Sequence, residues 1–472
     1  MRTYDLIVVG GGSAGLNAVE IGLELGLDVA LVEKNRIGGD CTWSGCIPSK
    51  TLNKIARVAK EMRQAERYGL PAADPEIDLG RVMEQVEQVI QEIYAHETPQ
   101  VLQERGVDVY VGNSRFSDPN TLLLEDQTQL HGRKFLIATG ASPIIPDIPG
   151  LTDTRFQTYV TIWSLDELPR RLIILGAGST GCELGQAFSR LGSEVYLLEK
   201  EDRILPGIDQ QAAGLVQEQL TAEGIQIFTG FNVRHIRQES DVLSVDDGSQ
   251  CIQGDELLLA VGRSPNVAGL RLEAAGVTYD SRGINTDQRL RTSQDDIYAA
   301  GDVTGGPQFT HVAGWHAYKA VRNAFLPFSE KGTTQSVLWT IFTDPEIAQV
   351  GIPAREARQE PGAGVEVSVW PYHKSDRAYT DFTREGFIKV MHRKNGRILG
   401  VTIVGEQAGE LIHEWALAIE HNLRLKDIAF TLHSYPTFGM ANMQAAAEIQ
   451  ARRLMQGLSG KAIRMLSKVS IF

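Results

Sequence analysis

One pattern occurs twice in the chain: a short apolar run, three glycines spaced G-x-G-x-x-G, an amphipathic stretch, a second apolar run and a glutamate. The first apolar runs, Asp5–Val9 and Leu172–Leu175, are continuous and rich in branched residues, which is typical of buried parallel strands. In such a unit the glycines permit a tight turn, a close approach of backbone to a pyrophosphate, and close packing of helix on strand. The repeat therefore predicts an α/β fold with two Rossmann-like dinucleotide-binding domains.

The first copy supplies the parts of a dinucleotide site. Its glycines are Gly10, Gly12 and Gly15, and its second apolar run ends at Glu33. Free N–H groups and the helix dipole favour an anion where the loop enters the helix, so we expect a pyrophosphate there. Glu33 is placed to accept both ribose hydroxyls. A plain glycine turn is the alternative interpretation.

The second copy repeats these parts. Its glycines and acid are Gly176, Gly178, Gly181 and Glu199. A glutamate at this position repels a 2′-phosphate and accepts a free 2′-hydroxyl, so Glu199 favours NADH over NADPH. Lys200 and Arg203 are close enough in sequence to weaken this preference.

Composition narrows the possible partners. The 472 residues contain 46 Lys plus Arg and 59 Asp plus Glu, which gives a formal net charge of −13. Because the chain is acidic and has no run of basic residues, a nucleic-acid partner is not expected. The N-terminus has no signal-peptide pattern, and the longest charge-free stretch, 428–447, is interrupted by polar residues and a proline, so no membrane association is expected. Four cysteines are too few for a secreted disulfide framework, which predicts a cytoplasmic protein.

Two of the four cysteines form the most informative segment. Cys41 and Cys46 are five residues apart, a spacing that does not suit zinc, and no further ligands accompany them. Pro48 marks a helix start, which puts Cys46 at a helix N-terminus where the dipole favours a thiolate. Lys50 is one helical turn further on and supports that anion. A pair of buried structural thiols is the alternative, and Cys182 and Cys251 are expected to be bystanders.

In these motifs the chain resembles the class I pyridine nucleotide–disulfide oxidoreductases, which include dihydrolipoamide dehydrogenase, glutathione reductase and mercuric reductase. Two dinucleotide motifs and a C-x-x-x-x-C-x-P-x-K segment carry the resemblance. Further family motifs are Ala138-Thr139-Gly140, Ile297-Tyr298-Ala299-Ala300-Gly301-Asp302 and Phe342-Thr343-Asp344-Pro345-Glu346. The resemblance extends over essentially the whole chain.

The resemblance implies cofactors and roles for individual residues. It implies an FAD site formed by Gly10, Gly12, Gly15, Glu33, Lys50, Thr139, Gly140 and Asp302. It implies an NAD(P)H site, with NADH favoured, formed by Gly176, Gly178, Gly181, Glu183 and Glu199. Cys46 then corresponds to the thiol beside the flavin, Cys41 to the interchange thiol, and Glu183 to the partner of Lys50, although a solvated helix residue is the alternative for Glu183. No metal ligands are expected.

The same resemblance implies a homodimer whose active site is shared between subunits, with a C-terminal α+β dimerisation domain. Proline clusters and changes of pattern place the domain boundaries. The FAD-binding domain is expected at 1–147 and 281–335, the NAD(P)-binding domain at 148–280 and the dimer-interface domain at 336–472. In the last domain the pattern predicts strands at 337–342, 364–370, 386–391 and 399–404, followed by helices at 409–420 and 440–457.

The sequence departs from the family where disulfide-reducing members carry a His–Glu acid–base pair. The corresponding segment here has Tyr435 in place of the histidine and Met440 in place of the glutamate. A positioned general acid is worth about 10²–10⁴-fold in rate, and tyrosine is a poor substitute at neutral pH. His433, two residues away, is either a substitute acid or a structural residue. Trp43, between the cysteines, replaces the usual asparagine. It either stacks on the flavin, restricts access to the cysteine pair or packs against the protein.

The sequence therefore predicts a flavoenzyme that passes electrons from NAD(P)H through Cys41–Cys46 to an acceptor that needs no thiol protonation. Such acceptors are a metal ion such as Hg(II), a quinone-like oxidant or an unusual disulfide. Mercuric reductases share the tyrosine, but 461–472 lacks their terminal cysteine pair and no metal-binding extension precedes the first strand. The alternatives are a dihydrolipoamide dehydrogenase-like activity in which His433 compensates, and a flavin-binding protein with a non-catalytic role.

Overall fold

A computed structural model describes residues 2–328, 330–332, 337–359 and 364–455. The chain divides into two compact units. The first comprises Met1–Asp202 and Gly224–Thr334, and the second comprises Arg203–Glu223 and Gln335–Phe472.

The α-helices of the described residues are, in chain order, α1 (Ser13–Glu24), α2 (Gly39–Trp43), α3 (Cys46–Arg63), α4 (Leu79–Tyr94), α5 (Pro99–Glu104), α6 (Ser179–Leu191), α7 (Gln210–Ala222), α8 (Thr310–Phe325), α9 (Ala354–Gln359), α10 (Asp376–Thr380), α11 (Ala408–Glu420), α12 (Leu425–Ala429) and α13 (Gly439–Leu454).

The strands are β1 (Thr3–Val9), β2 (Val29–Glu33), β3 (Asp108–Val111), β4 (Ser114–Asp118), β5 (Thr121–Leu124), β6 (Gln129–Ile137), β7 (Ala141–Pro143), β8 (Gln157–Thr158), β9 (Arg171–Leu175), β10 (Glu194–Glu199), β11 (Gln226–Thr229), β12 (His235–Glu239), β13 (Val242–Asp246), β14 (Cys251–Gly254), β15 (Glu256–Leu259), β16 (Arg263–Pro265), β17 (Tyr279–Asp280), β18 (Gly283–Ile284), β19 (Ile297–Ala299), β20 (Leu338–Ile341), β21 (Glu346–Gly351), β22 (Val365–Pro371), β23 (Phe387–Arg393) and β24 (Ile398–Gly405).

The first unit contains two sheets of the parallel kind found in dinucleotide-binding folds. One has the strand order β3-β2-β1-β6-β5-β4, with β19 also paired to β6, and its β3, β2, β1, β6 and β19 strands run parallel. The other is fully parallel, with the order β11-β10-β9-β15-β8. β1 and β9 are almost wholly buried, as their continuous apolar runs predict for strands covered on both faces.

Helices α3 and α6 join the cysteine segment to the second glycine loop. They pack side by side and are connected at both ends. Near the start of each helix, Lys50 Nζ lies 2.8 Å from Glu183 Oε2. Near their ends, the Arg63 guanidinium donates to the carbonyl oxygen of Arg190. The two helices are therefore fixed along their whole shared length.

The second unit is an α+β structure. Its antiparallel sheet has the order β20-β21-β24-β23-β22, and its core includes the fully buried Trp415 and Tyr372. Asp209 caps the start of α7 and forms an ion pair with Lys389 on β23, with 8% and 5% of their side chains exposed. Strand β21 was not predicted from the sequence. The C-terminal helix was predicted over 440–457, and its last two residues lie outside the described ranges.

In the described part of the chain, no helix combines the length and apolar character needed to cross a bilayer. The described residues also contain no group of three or more His, Cys, Asp or Glu placed to hold a metal ion.

Candidate active site

The first glycine loop has the geometry that the motif demands. Gly10 has φ +108°, and a Cβ there would lie 2.4 Å from the carbonyl oxygen of Ala138. A Cβ on Gly15 would lie 1.8 Å from the oxygen of Gly10, so only glycine allows α1 to pack this closely. Gly12 is the N-cap of α1, with no side chain bonded to the free N–H groups of the first turn. The loop therefore offers an uncapped helix N-terminus to an anion.

Glu33 and the Ala138–Gly140 turn border this loop. Glu33 accepts hydrogen bonds from the backbone N–H groups of Gly11 (2.7 Å) and Asn35 (2.8 Å), which fixes its carboxylate at the loop. Thr139 donates its hydroxyl to the carbonyl of Asn266 at 2.8 Å, and Gly140 has φ +68° with open space at its Cβ position. These residues leave the loop accessible to a ligand.

The second glycine loop repeats the first in detail. Gly176 has φ +104° and a Cβ there would lie 2.5 Å from the oxygen of Ala260, while a Cβ on Gly181 would lie 2.0 Å from the oxygen of Gly176. The position of a Cβ on Gly178 is open, with no atom within 4 Å. Glu199 accepts from Ala177 N–H at 2.8 Å, just as Glu33 accepts from Gly11.

Cys41 and Cys46 are half-buried free thiols on neighbouring elements. Cys41 lies in α2 and Cys46 opens α3. A hydrogen bond from Cys41 lowers the pKa of Cys46 to about 6, with help from Thr310 and the positive charge of Lys50 and against desolvation and Glu183. The same hydrogen bond and burial raise the pKa of Cys41. At neutral pH the reduced pair therefore has a protonated Cys41 and a negative charge on Cys46.

Thr310 is a site residue that the sequence did not reveal. It opens α8, and its hydroxyl oxygen lies 3.1 Å from Cys46 Sγ. A hydroxyl donor at this distance stabilises a thiolate. The only sequence signal was a threonine at a helix start a few residues after the Asp302 motif.

The structure brings Lys50 and Glu183 together as an ion pair. Glu183 is buried, with 7% of its side chain exposed, and also accepts from Asn53 Nδ2 at 3.4 Å. Because Glu183 is buried and paired, it is not the solvated helix residue that was the alternative interpretation. Lys50 is held one turn from Cys46 by its carboxylate partner.

Asp302 belongs to a buried charge cluster. Its Oδ2 lies 2.6 Å from a guanidinium nitrogen of Arg263, which also pairs with Asp40. Burial raises the pKa of Asp302, and the positive charge of Arg263 opposes that rise. Sequence reasoning did not identify Asp40 or Arg263.

Tyr435 and His433 lie in the second unit, just before α13. Tyr435 is 65% exposed, and its hydroxyl donates to Asp376 Oδ2 at 2.9 Å. That hydrogen bond raises the pKa of Tyr435, so the hydroxyl keeps its proton at neutral pH.

His433 uses both ring nitrogens within the second unit. Nδ1 lies 2.8 Å from the carbonyl oxygen of Thr431, and Nε2 lies 3.0 Å from Glu414 Oε1. Glu414 in turn accepts from the buried Asn442 at 2.8 Å, and Asn442 accepts from Trp415 Nε1 at 2.7 Å. This Trp415–Asn442–Glu414–His433 chain of hydrogen bonds was not predicted from the sequence.

Trp43 packs against the protein. Its Nε1 donates to the carbonyl of Ile37 at 2.7 Å. Its ring contacts the Tyr94 ring, with centroids 4.8 Å apart, and the guanidinium of Arg36 lies 4.7 Å from its centroid. Of the alternatives left by the sequence, these contacts favour packing.

The chain matches two family models in succession. Residues 4–317 match the pyridine nucleotide-disulphide oxidoreductase family, and residues 337–446 match the dimerisation domain of the same family. The chain belongs to this family. Members are FAD-binding, NAD(P)H-dependent oxidoreductases, so this chain is an oxidoreductase with FAD and NAD(P)H as its cofactors. The predicted α/β fold with a dimerisation domain is confirmed.

Two curated relatives match most of this chain. A mercuric reductase of Staphylococcus aureus is 34% identical over 440 residues, covering 92% of this chain and 80% of that protein. A dihydrolipoyl dehydrogenase of Thermus scotoductus is 36% identical over 468 residues, covering 96% and 99%. The two relatives are therefore named for different activities within one family.

Two solved members of the family have closely similar folds. A Cu(II) complex of RclA, an HOCl-induced flavoprotein disulfide reductase of Escherichia coli, has a TM-score of 0.86 at 28% identity, covering 95% of this chain and all of that one. LpdA of Mycobacterium tuberculosis has a TM-score of 0.87 at 27% identity, with the same coverage.

The residues present fit both cofactors. Each glycine loop combines an uncapped helix N-terminus with an acid fixed by a loop N–H, which suits a pyrophosphate and an adjacent ribose. Asp302 lies near the first loop, because a Cβ on the adjacent Gly301 would be 3.4 Å from the Cβ of Ala14 in α1. Its carboxylate can accept a hydrogen bond from a ligand hydroxyl there.

Proposed function

We propose that this enzyme passes electrons from NADH, through FAD and the Cys41–Cys46 pair, to a thiol-binding metal ion such as Hg(II). The observation that carries the choice of acceptor is that neither ring nitrogen of His433 is left to protonate a thiol. A metal ion held by thiolates needs no such proton. We also propose that the FAD-binding domain comprises 1–147 and 281–335, the NAD(P)-binding domain 148–280 and the dimer-interface domain 336–472. The site residues predicted from the sequence belong to the same proposal.

The preference for NADH rests on Glu199. Its carboxylate is buried at the second glycine loop, where a 2′-phosphate would meet its negative charge. Arg203, which weakened this argument in the sequence, donates its guanidinium N–H groups to the carbonyl oxygens of Leu205, Pro206 and Ile208. A guanidinium engaged in its own loop is a poor candidate for a phosphate ligand.

The chain's own residues account for the handling of charge at the cysteines. FAD held at the first glycine loop beside Glu33 would supply the transfer of two electrons from the reduced nicotinamide to the disulfide. Lys50 and Thr310 then stabilise the Cys46 thiolate, while Cys41 keeps the proton and is the thiol that meets the acceptor. Oxidation of the two thiols back to the disulfide releases two electrons, enough for one Hg(II) or two Cu(II) ions.

The second unit supports an acceptor that is not a disulfide. The hydroxyl of Tyr435 donates its proton to a hydrogen bond with Asp376. His433 is bonded to Thr431 and Glu414 in directions that leave no nitrogen for a substrate. We place these residues at the acceptor site of the partner subunit in a homodimer, which the dimerisation domain suggests.

The relatives are compatible with this acceptor. Mercuric reductases are among the proteins most similar in sequence, and the RclA structure is described as a Cu(II) complex. The predicted cytoplasmic location also suits a dithiol that has to return to its reduced form.

An anaerobic titration with NADH tests the relay. We expect a long-wavelength absorbance from a thiolate beside the oxidised flavin, which disappears in Cys46→Ser and persists in Cys251→Ser, whose cysteine lies exposed on β14. Absence of this absorbance from the unaltered enzyme would overturn the proposed relay. NADH oxidation is then compared with Hg(II), Cu(II), a quinone, lipoamide and glutathione disulfide as acceptors.

A second candidate function is reduction of a disulfide with His433 as the acid. The His433–Glu414 pair at 3.0 Å favours it, because an imidazole beside a carboxylate is the arrangement such an acid needs. Rapid lipoamide reduction that falls at least about 100-fold in His433→Ala, with Hg(II) inert, would establish this second function in place of the first.

A further inference from the structure

Hydrogen bonds on both sides of Cys41 connect its short helix, α2, to another segment of the first unit. On one side, Asp40 Oδ2 accepts the hydroxyl of Tyr159 at 2.8 Å. On the other, the carbonyl oxygen of Ser44 accepts from Trp163 Nε1 at 3.0 Å. Tyr159 and Trp163 belong to one turn, because Trp163 Nε1 also donates to the carbonyl of Tyr159 at 2.7 Å. We call these two residues the aromatic clamp.

The clamp is reinforced by charge. Arg263 pairs with Asp40 and with Asp302, and its Nε donates to the Tyr159 hydroxyl oxygen at 3.0 Å. Tyr159 is 9% exposed, and burial raises its pKa, so its hydroxyl keeps the proton that it donates to Asp40. Burial lowers the pKa of Arg263, but the negative charges of Asp302 and Asp40 outweigh this and leave it raised. The cluster therefore stays charged and bonded across the neutral range.

The rest of α2 is anchored in the same way. The hydroxyl of Thr42 donates to Glu97 at 3.3 Å, and Trp43 donates to the carbonyl of Ile37. Each neighbour of Cys41 from Asp40 to Ser44 thus has a fixed partner in the first unit, whereas Cys41 itself remains half-buried. Such anchoring restrains the position of one sulfur with respect to the other.

We propose that Tyr159 and Trp163 are positioning residues that set the reduction potential of the Cys41–Cys46 disulfide. The inference rests on the proposed redox role of the two cysteines. A disulfide forms only within a narrow range of Cα–Cα distance and dihedral angle, so thiols already held near that geometry lose little freedom when they join. The clamp therefore favours the disulfide and makes the pair more strongly reducing.

The predicted consequence is an equilibrium shift. In exchange with a dithiol such as dithiothreitol, one disulfide is reduced as the other forms, so the atoms and the two electrons balance. Loosening the clamp widens the range of positions open to Cys41 and lowers the equilibrium constant for forming Cys41–Cys46. We expect a fall of about tenfold when both clamp residues are replaced, equivalent to about 30 mV for a two-electron couple.

The test uses the flavin-loaded enzyme equilibrated anaerobically with reduced and oxidised dithiothreitol in graded ratios. The reaction is stopped by alkylation, and the Cys41–Cys46 disulfide is measured by peptide mass. The variants are Tyr159→Phe, which removes only the hydroxyl, Trp163→Phe, which removes the indole donor, and the double variant. Tyr279→Phe is a matched control, since Tyr279 is an exposed tyrosine of the same unit whose hydroxyl also donates to a carboxylate, that of Glu273.

The expected result is a two- to fivefold fall in each single variant, about tenfold in the double variant, and no change in Tyr279→Phe. Flavin content and thermal unfolding identify the variants that remain folded, and Tyr159→Phe keeps the ring and its packing. A disulfide that forms with the same equilibrium constant in all variants would overturn the clamp and leave the redox role intact. An unaltered enzyme that forms no Cys41–Cys46 disulfide would overturn both.

Discussion

The hydroxyl oxygen of Thr310 lies 3.1 Å from the sulfur of Cys46, although 264 residues separate the two in the chain. The first turn of α8 therefore meets the first turn of α3 at the thiol. The hydrogen bond from Cys41 to Cys46 is the main reason why the reduced pair carries its charge on Cys46, and the Thr310 hydroxyl and the charge of Lys50 add to it.

We predict that the thiolate of Cys46 is lost as the pH falls through about 6, the value to which its pKa is lowered. Thr310→Val removes a hydrogen bond that favours the anion, so the midpoint of this loss should move upward by about one pH unit. The pH dependence of iodoacetamide labelling at Cys46 in the reduced enzyme measures it. Thr310→Ser keeps the hydroxyl and should restore the original midpoint, and an unchanged midpoint in Thr310→Val would contradict the assignment.

The choice between nicotinamide cofactors should depend on Glu199. Replacing it by glutamine keeps the shape but removes the charge that opposes a 2′-phosphate. We expect the ratio of kcat/KM for NADH over NADPH to fall at least about tenfold, or about 1.4 kcal/mol. Steady-state kinetics with both cofactors measure this ratio. Glu201→Gln, two residues away and half exposed, serves as control, and an equal effect there would argue against a specific role for Glu199.

Substitution of Tyr435 should lower turnover with the metal-ion acceptor, whereas substitution of His433 should lower stability. Tyr435→Phe removes a hydroxyl at the proposed acceptor site, and we expect kcat/KM for Hg(II) to fall about tenfold while flavin reduction by NADH stays unchanged. His433→Ala breaks only bonds inside the second unit, so its effect should be on stability. Stopped-flow flavin reduction and thermal unfolding distinguish the two variants. Loss of turnover without loss of stability in His433→Ala would favour the disulfide-reducing alternative.

Gly15→Ala should abolish flavin retention, because its new Cβ would lie 1.8 Å from the oxygen of Gly10 and force α1 away from the loop. We expect destabilisation of about 2 kcal/mol or more. Gly214→Ala, in α7, meets no atom within 4 Å and should be neutral or slightly stabilising. The absorbance ratio of flavin to protein, with thermal unfolding, measures both. Full flavin content in Gly15→Ala would contradict the close packing.

The local parts of the site could be predicted from the sequence because their chemistry is encoded in adjacent residues. The two glycine loops, the placement of Cys46 at a helix start and the one-turn spacing to Lys50 all depend on contacts within a few positions. The pairing of Lys50 with Glu183 came from family resemblance rather than from spacing, since the two are 133 residues apart.

The parts that escaped prediction are contacts between distant segments. Thr310, Arg263 and Tyr159 reach the cysteine segment from positions whose own neighbours give no sign of it. The same holds in the second unit, where Glu414 reaches His433 from α11 and Asp376 reaches Tyr435 from α10. Strand β21 was missed because its role comes from pairing with β20 and β24, not from a distinctive pattern of its own.

Helices α3 and α6 share an ion pair near their beginnings and a side-chain-to-backbone bond near their ends. One of these helices starts at a reactive sulfur, and the other starts at the loop proposed to hold the nicotinamide nucleotide. A pair of helices braced at two points has no hinge between those points. The spacing between Cys46 and the second glycine loop is therefore set by helix packing. We expect any motion that admits substrates to take place elsewhere in the molecule.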